Sequence, residues 1–111
     1  MSELNNSKPI KILVVDDDSF IRAVLCQTLT ASDYLVYSAE NGAMALDMHT
    51  SLPHLDLIVL DITMPVMDGI ETIKKLRSAH HNIPVIVLMT NSEITFALEA
   101  IKAGADDFLL K

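Results

Sequence analysis

Leu57 to Leu60 are four consecutive apolar residues, and Asp61 follows them at once. A short apolar run bounded by turn signals reads as a strand buried on both faces. Met64-Pro65 and Asp68-Gly69 come next, just before a helical pattern. Open α/β sheets bind their ligands at the C-terminal ends of their strands, which is where this reading puts Asp61. Taken alone, Asp61 fits equally well as an acid that merely ends a strand.

A second strand end sharpens the reading. Ile10 to Val15, apolar except for Lys11, reads as another strand, and it leads into Asp16-Asp17-Asp18. Two parallel strands lying side by side would bring these acids next to Asp61. Clustered carboxylates repel one another unless something neutralises them. A hard divalent cation does so, and Mg²⁺ prefers carboxylates together with water.

The rest of the chain alternates in the same way. Residues 1–9 read as a flexible lead, and residues 10–111 as one domain. Ser19 is the expected N-cap of a first helix with Ile21, Val24, Leu25, Thr28 and Leu29 on one face. Tyr34 to Ala39 is a second strand. Asn41-Gly42 turns into a second helix, with Ala43, Leu46 and Met48 inward and Pro53 ending the region. The third strand is expected at 56–61. Asp68 caps a third helix that turns Ile70, Ile73 and Leu76 to the core. His80-His81-Asn82 is a polar loop, and Ile83 to Met89 a fourth strand. Ser92 is the expected cap of a fourth helix with Ile94, Ala97, Leu98 and Ile101 on one face, closed by Gly104. Asp107 to Leu110 is a fifth strand.

Strands alternating with helices imply a parallel sheet built by right-handed crossovers. An eight-stranded barrel needs about 250 residues, more than the 111 here. A flavodoxin-like, doubly wound five-stranded α/β sheet in the order 2-1-3-4-5 fits the length. Its switch point, between strands one and three, gathers Asp16, Asp17 and Asp61.

Charge and composition narrow the function. The formal charge of −7 and the lack of a basic patch argue against nucleic-acid binding by this domain. No apolar run approaches the ~20 residues that span a bilayer, and the N-terminus lacks a signal-peptide core, so a cytoplasmic protein is expected. The single cysteine, Cys26, is expected to be a small buried side chain. The four histidines, at 49, 54, 80 and 81, fall on a helix or in polar loops. The methionines read as core or loop filler.

VVDDDS at 14–19, LDITMPVMDG at 60–69 and AGADDFLLK at 103–111, with the spacing between them, resemble the receiver domain of bacterial response regulators. The resemblance covers Lys11 to Lys111. It implies that Asp61 is a phosphoacceptor, taking a phosphoryl group from a phosphohistidine on a sensor histidine kinase or phosphotransfer protein. It implies Mg²⁺ held by Asp17 and Asp61, by Asp16 mainly through water, and by the Thr63 carbonyl. Lys111 matches the lysine that pairs with the acceptor and then with the phosphoryl oxygens. Asp18 falls at a variable position and reads as a solvated loop acid. Phe108 matches an aromatic switch position, and it is also a plain core aromatic. An output domain or effector protein would read the phosphorylated state.

At one position the chain departs from that pattern. The fourth strand of the family ends on a Thr or Ser that bonds the phosphoryl group. Gapless counting from Lys111 puts Met89 there, which is the favoured alignment, with Thr90 as the alternative if the strand end slips by one. Both cannot point at Asp61, because side chains alternate along a strand. The departure keeps open a second reading, a non-phosphorylated pseudo-receiver that only binds other proteins. A flavodoxin is disfavoured by three acids where a phosphate-cradling loop belongs. An Asp-nucleophile phosphatase is disfavoured because Thr63, not an acid, stands two residues after Asp61.

The topology also predicts a bare face. The order 2-1-3-4-5 sends helices two, three and four to one side of the sheet and helix one alone to the other. Five strands at about 4.8 Å spacing span roughly 20 Å, whereas one helix covers about 10–12 Å. The family covers the remainder with a fifth helix after the lysine. The expectation is therefore a domain truncated at its C-terminus, or a partner chain that supplies the cover by dimerisation or exchange of elements.

Overall fold

Apolar and β-branched runs set the strands. These are β1 (Lys11–Val15), β2 (Leu35–Ala39), β3 (Leu57–Asp61), β4 (Val85–Met89) and β5 (Asp107–Leu110). Between them lie α1 (Ser19–Ala31), α2 (Gly42–Ser51), α3 (Gly69–Ser78) and α4 (Ala97–Ala103), with a 3-10 helix, Asn91–Phe96, leading into α4. The structure, a computed structural model, describes residues 9–52, 54–64, 67–79 and 81–111. The expected lead up to residue 8, the stop at Pro53 and the loop position of His80 lie outside the described residues.

The strands form one parallel sheet in the order β2-β1-β3-β4-β5, as the switch-point reading requires. Val15 stands opposite Ala39 and Leu60, and Asp61 opposite Leu88. Alternation then sorts the side chains into two layers. Leu13, Ile58, Leu60, Val85 and Val87 pack beneath α2, α3 and α4, which contribute Ala45, Ile73, Leu76 and Ala100. Ile12, Val14, Val59 and Leu88 face α1, which lays Leu25, Cys26 and Leu29 on them. Among the described residues no helix is long and apolar enough to cross a membrane.

Several local expectations change. Asp18, not Ser19, caps α1: one of its oxygens accepts from the N–H groups of Phe20 at 2.9 Å and Ile21 at 3.2 Å. Asp18 is thus a structural cap rather than a free loop acid. Cys26 is half-buried, because α1 rests on the sheet as a single exposed layer with no fully buried residue. Thr90 replaces Ser92 as the cap before α4. Of the expected inner face only Ala97 packs against the core; Ile94, Leu98 and Ile101 are exposed, and Ala100 is buried instead. The 3-10 winding of residues 91–96 shifts the helical phase, so a face counted from Ile94 at 3.6 residues per turn misses the core.

The bare face is narrower than the strand widths alone suggest. Val59 and Leu88 are buried, whereas Leu109 and Leu110 of β5 are 54% and 50% exposed. A groove of about 350 Å³ runs between α1 and β5, lined on one side by Phe20, Ile21 and Val24 and on the other by Leu109 and Leu110.

The opposite end of the sheet is tied by one side chain. Arg77, near the end of α3, donates to the carbonyls of His81 at 2.7 Å, Ile83 at 2.8 Å and Gly104 at 2.8 Å. It also pairs with Asp106 at 3.2 Å, and the same Asp106 oxygen accepts from Val85 N–H at 2.8 Å. Gly104 closes α4 as expected, at φ 120°, and a Cβ there would stand 2.8 Å from Arg77 Cγ. Only glycine suits both demands.

Candidate functional site

Strand parity brings the acids and the lysine together. Ile12 and Val14 face α1, so Asp16 continues that row beyond β1. Leu57 and Val59 face α1, so Asp61 continues theirs. Phe108 packs into the other layer, which leaves Leu109 and Lys111 on the α1 side. The result is a carboxylate pair at the C-terminal edge of β1 and β3, reached by an ammonium from β5.

Lys111 Nζ lies 3.0 Å from Asp61 Oδ1 and 3.4 Å from Asp16 Oδ2. Asp16 is fully buried, and Asp61 is 2% exposed. Asp16 is anchored on both sides of its peptide. Its Oδ1 accepts from Asp18 N–H at 2.9 Å, and its carbonyl accepts from Arg22 Nη1 at 2.7 Å. Apart from the ammonium, Asp16 Oδ2 and Asp61 Oδ1 have no donor among the described residues. Burial pushes the Asp61 carboxyl up to about 7, against the pull of Lys111, and the Asp16 charge adds to the push. Burial acts to lower Lys111, but Asp61 and Asp16 outweigh it and hold the ammonium above its ordinary range.

This arrangement suits a hard cation. Asp16, Asp17 and Asp61 can each offer an oxygen, all within 4.8 Å of one another. Two of the three acids are buried, and two buried oxygens lack a full complement of donors. Two charges in so small a volume are costly unless a counter-charge joins Lys111. An all-oxygen set favours Mg²⁺ over a softer metal.

The other expected residues divide. Thr63 is exposed, two residues beyond Asp61 on the rim. Phe108 is half-buried against the core beneath α4. Met89 is fully buried in that same layer, away from the α1 face. Thr90 is still extended, at φ −87° and ψ 170°, so alternation returns it to the face of Leu88 and Asp61. Its hydroxyl lies 2.9 Å from Ser92 Oγ and 3.1 Å from Glu93 Oε1, which also accepts from Thr90 N–H at 2.8 Å. Glu93 was not singled out from the sequence. The signal was present in Thr90-Asn91-Ser92-Glu93, an S/T-x-x-E capping box. The described histidines, at 49, 54 and 81, are not among the residues gathered here. His49 and His81 meet edge to face, 4.4 Å apart, on the far side of α2 and α3.

Comparisons with known proteins bear on the fold. A family model described as the response regulator receiver domain matches residues 12–111. Response regulator MprA of Mycolicibacterium vanbaalenii is 40% identical over 103 residues, covering 93% of this chain and 44% of that protein. The chain therefore spans less than half the length of the curated relatives it matches. Among solved structures, the receiver domain of Francisella response regulator 1452 superposes with a TM-score of 0.84 at 35% identity, over 94% of this chain and 84% of that one. Chemotaxis response regulator CheY4 of Vibrio cholerae gives a TM-score of 0.85 at 33% identity, over 94% and 88%.

Proposed function

Because this chain belongs to the response regulator receiver domain family, we propose that it works by accepting a phosphoryl group on Asp61. The donor is the phosphohistidine of a sensor histidine kinase or phosphotransfer protein. An Asp61 oxygen attacks phosphorus, the P–N bond breaks, and the imidazole leaves with the electron pair and takes up a proton. The product is an acyl phosphate, a recognised type of covalent intermediate. The observation that carries this reading is the buried Asp61 oxygen 3.0 Å from Lys111 at the switch point of the sheet.

Each residue has a role in that step. Lys111 orients the acceptor, then pairs with a phosphoryl oxygen. Asp17, Asp61 and the Thr63 carbonyl would hold Mg²⁺ directly, with Asp16 acting mainly through water. When bound, the ion neutralises charge on the transferring group, the largest need in phosphoryl transfer. Thr90, rather than Met89, is the hydroxyl that bonds the phosphoryl group. Strand parity and the burial of Met89 support that choice, and a thioether has no proton to donate. Phe108 responds by repacking between the α4 layer and the surface of β5. An output domain or effector protein reads the change.

Treatment with acetyl phosphate and Mg²⁺ followed by intact mass measurement tests the proposal. One phosphoryl adduct is expected on the wild type and none on Asp61→Asn. An adduct that persists in Asp61→Asn would remove Asp61 as the acceptor.

A further inference from the structure

The Glu93 carboxylate has more partners than a helix cap requires. It receives the N–H and the hydroxyl of Thr90 from the end of β4. Burial pushes its carboxyl up, but the Thr63 hydroxyl, the two Thr90 groups and Lys111 together outweigh this and hold it below the ordinary range. Glu93 thus closes back onto the end of β4, the strand that lies beside β3 and its Asp61. A cap alone needs no charge, since glutamine fills this place in a capping box as well as glutamate.

We propose that Glu93 is an anionic latch on the acceptor pocket, holding the Thr90 hydroxyl in the resting state and opposing the arrival of a phosphoryl dianion at Asp61. The inference rests on Asp61 being the phosphoacceptor. A hydroxyl has one proton, and an ionised carboxylate is a stronger acceptor for it than a neutral group. While Thr90 gives that proton to Glu93, it has none for a phosphoryl oxygen. A phosphoryl group on Asp61 brings two negative charges to the sheet edge where Glu93 holds Thr90. Repulsion then favours release of Glu93, and Thr90 is free to turn. Glu93 is a positioning residue: it acts through Thr90 and through its charge.

The test separates charge from capping. Glu93→Gln keeps the reciprocal cap and removes the charge. Asp61 is phosphorylated by acetyl phosphate, where the P–O bond breaks and acetate leaves with the electron pair. It is also phosphorylated by phosphoramidate, where the P–N bond breaks and ammonia leaves from the protonated nitrogen with the electron pair. Acetyl phosphate is the more highly charged donor near neutral pH. Glu93→Gln is expected to react about three- to tenfold faster than wild type with acetyl phosphate, a range set by screened charge repulsion, and to gain less with phosphoramidate. Circular dichroism of Glu93→Gln should match wild type, and Glu93→Ala, which also loses the cap, should be less stable. Equal rates for wild type and Glu93→Gln with both donors would overturn the latch while leaving Asp61 as acceptor. Equal gains with both donors would also overturn it, since a looser loop would not distinguish charge. No adduct on the wild type would overturn the acceptor reading, and the latch with it.

Discussion

Gly69 is pressed against the backbone of Asp61. A Cβ at Gly69 would stand 2.6 Å from the Asp61 carbonyl oxygen and 2.8 Å from Ile62 Cα. The first turn of α3 and the end of β3 therefore share one narrow space, closed by Gly69 N–H donating to the Ile62 carbonyl at 2.9 Å. Gly69→Ala must displace backbone rather than a flexible side chain. We expect a loss of about 1–3 kcal/mol in urea unfolding and slower phosphorylation of Asp61, because the acceptor moves with the loop. Wild-type stability in Gly69→Ala would mean that the contact relaxes at no cost.

The Asp61 carboxyl makes stability depend on pH in a defined direction. Its folded value of about 7 lies above its ordinary 3.8. Between those values the folded chain binds more protons than the unfolded one. The stability tied to that proton is whole below the lower value and is lost as pH rises through the upper one. In a chelating buffer, wild type should lose on the order of 2 kcal/mol relative to Asp61→Asn across this window. Mg²⁺ should reduce the difference above neutral pH by binding the folded state alone. Parallel pH profiles for the two proteins would show that Asp61 is not perturbed in this way.

Asp17 offers the contrasting case. It is exposed, unlike Asp16 and Asp61, yet it completes the acidic cluster. Asp17→Ala should leave metal-free stability within about 0.5 kcal/mol of wild type. Calorimetry should show most of the Mg²⁺ affinity gone. Unchanged affinity would take Asp17 out of the ion's ligand set.

Met89 and Thr90 should separate cleanly by the property each one changes. Met89 is buried, so Met89→Ala should cost about 2–5 kcal/mol through the cavity it leaves. Thr90→Ala should cost about 1 kcal/mol through loss of the cap, and it should also weaken phosphorylation-dependent NMR shifts at Phe108. If Met89→Thr strengthened those shifts and Thr90→Ala left them intact, the hydroxyl position would belong to residue 89.

The sheet order and the acid cluster were legible in the sequence because both follow from strand parity and crossover handedness. Asp16 and Asp61 each lie two residues beyond an apolar side chain of the α1 face, and that spacing survives any uncertainty in where a strand ends. The α4 region was less legible. Its expected inner face assumed unbroken α-helix from Ser92, whereas 3-10 winding through Phe96 rotates Ile94, Leu98 and Ile101 outward. Asp18 was read as a loop acid because the cap and its neighbour Ser19 are both plausible N-cap types one residue apart. Arg77 and Glu93 escaped notice for a different reason. Their partners lie up to 29 residues away or depend on side-chain direction, and periodicity carries neither kind of information.

Arg77 gives the sheet two unequal ends. At the N-terminal edge of β4 and β5 its guanidinium spans three carbonyls and a carboxylate, riveting α3, the α3–β4 loop and the α4–β5 corner into one anchored block. At the opposite edge the 3-10 stretch is tied locally, by side-chain hydrogen bonds from Ser92 and Glu93 back to Thr90. If Asp61 is the acceptor, the block is expected to act as a fulcrum for any disturbance there, turning displacement toward the exposed Ile94 of the 3-10 stretch and Leu98 and Ile101 of α4. On that reading, Arg77→Met should let the same disturbance dissipate backward into the scaffold, leaving the acetyl phosphate adduct on Asp61 unchanged while the phosphorylation-dependent shifts at Phe108 shrink.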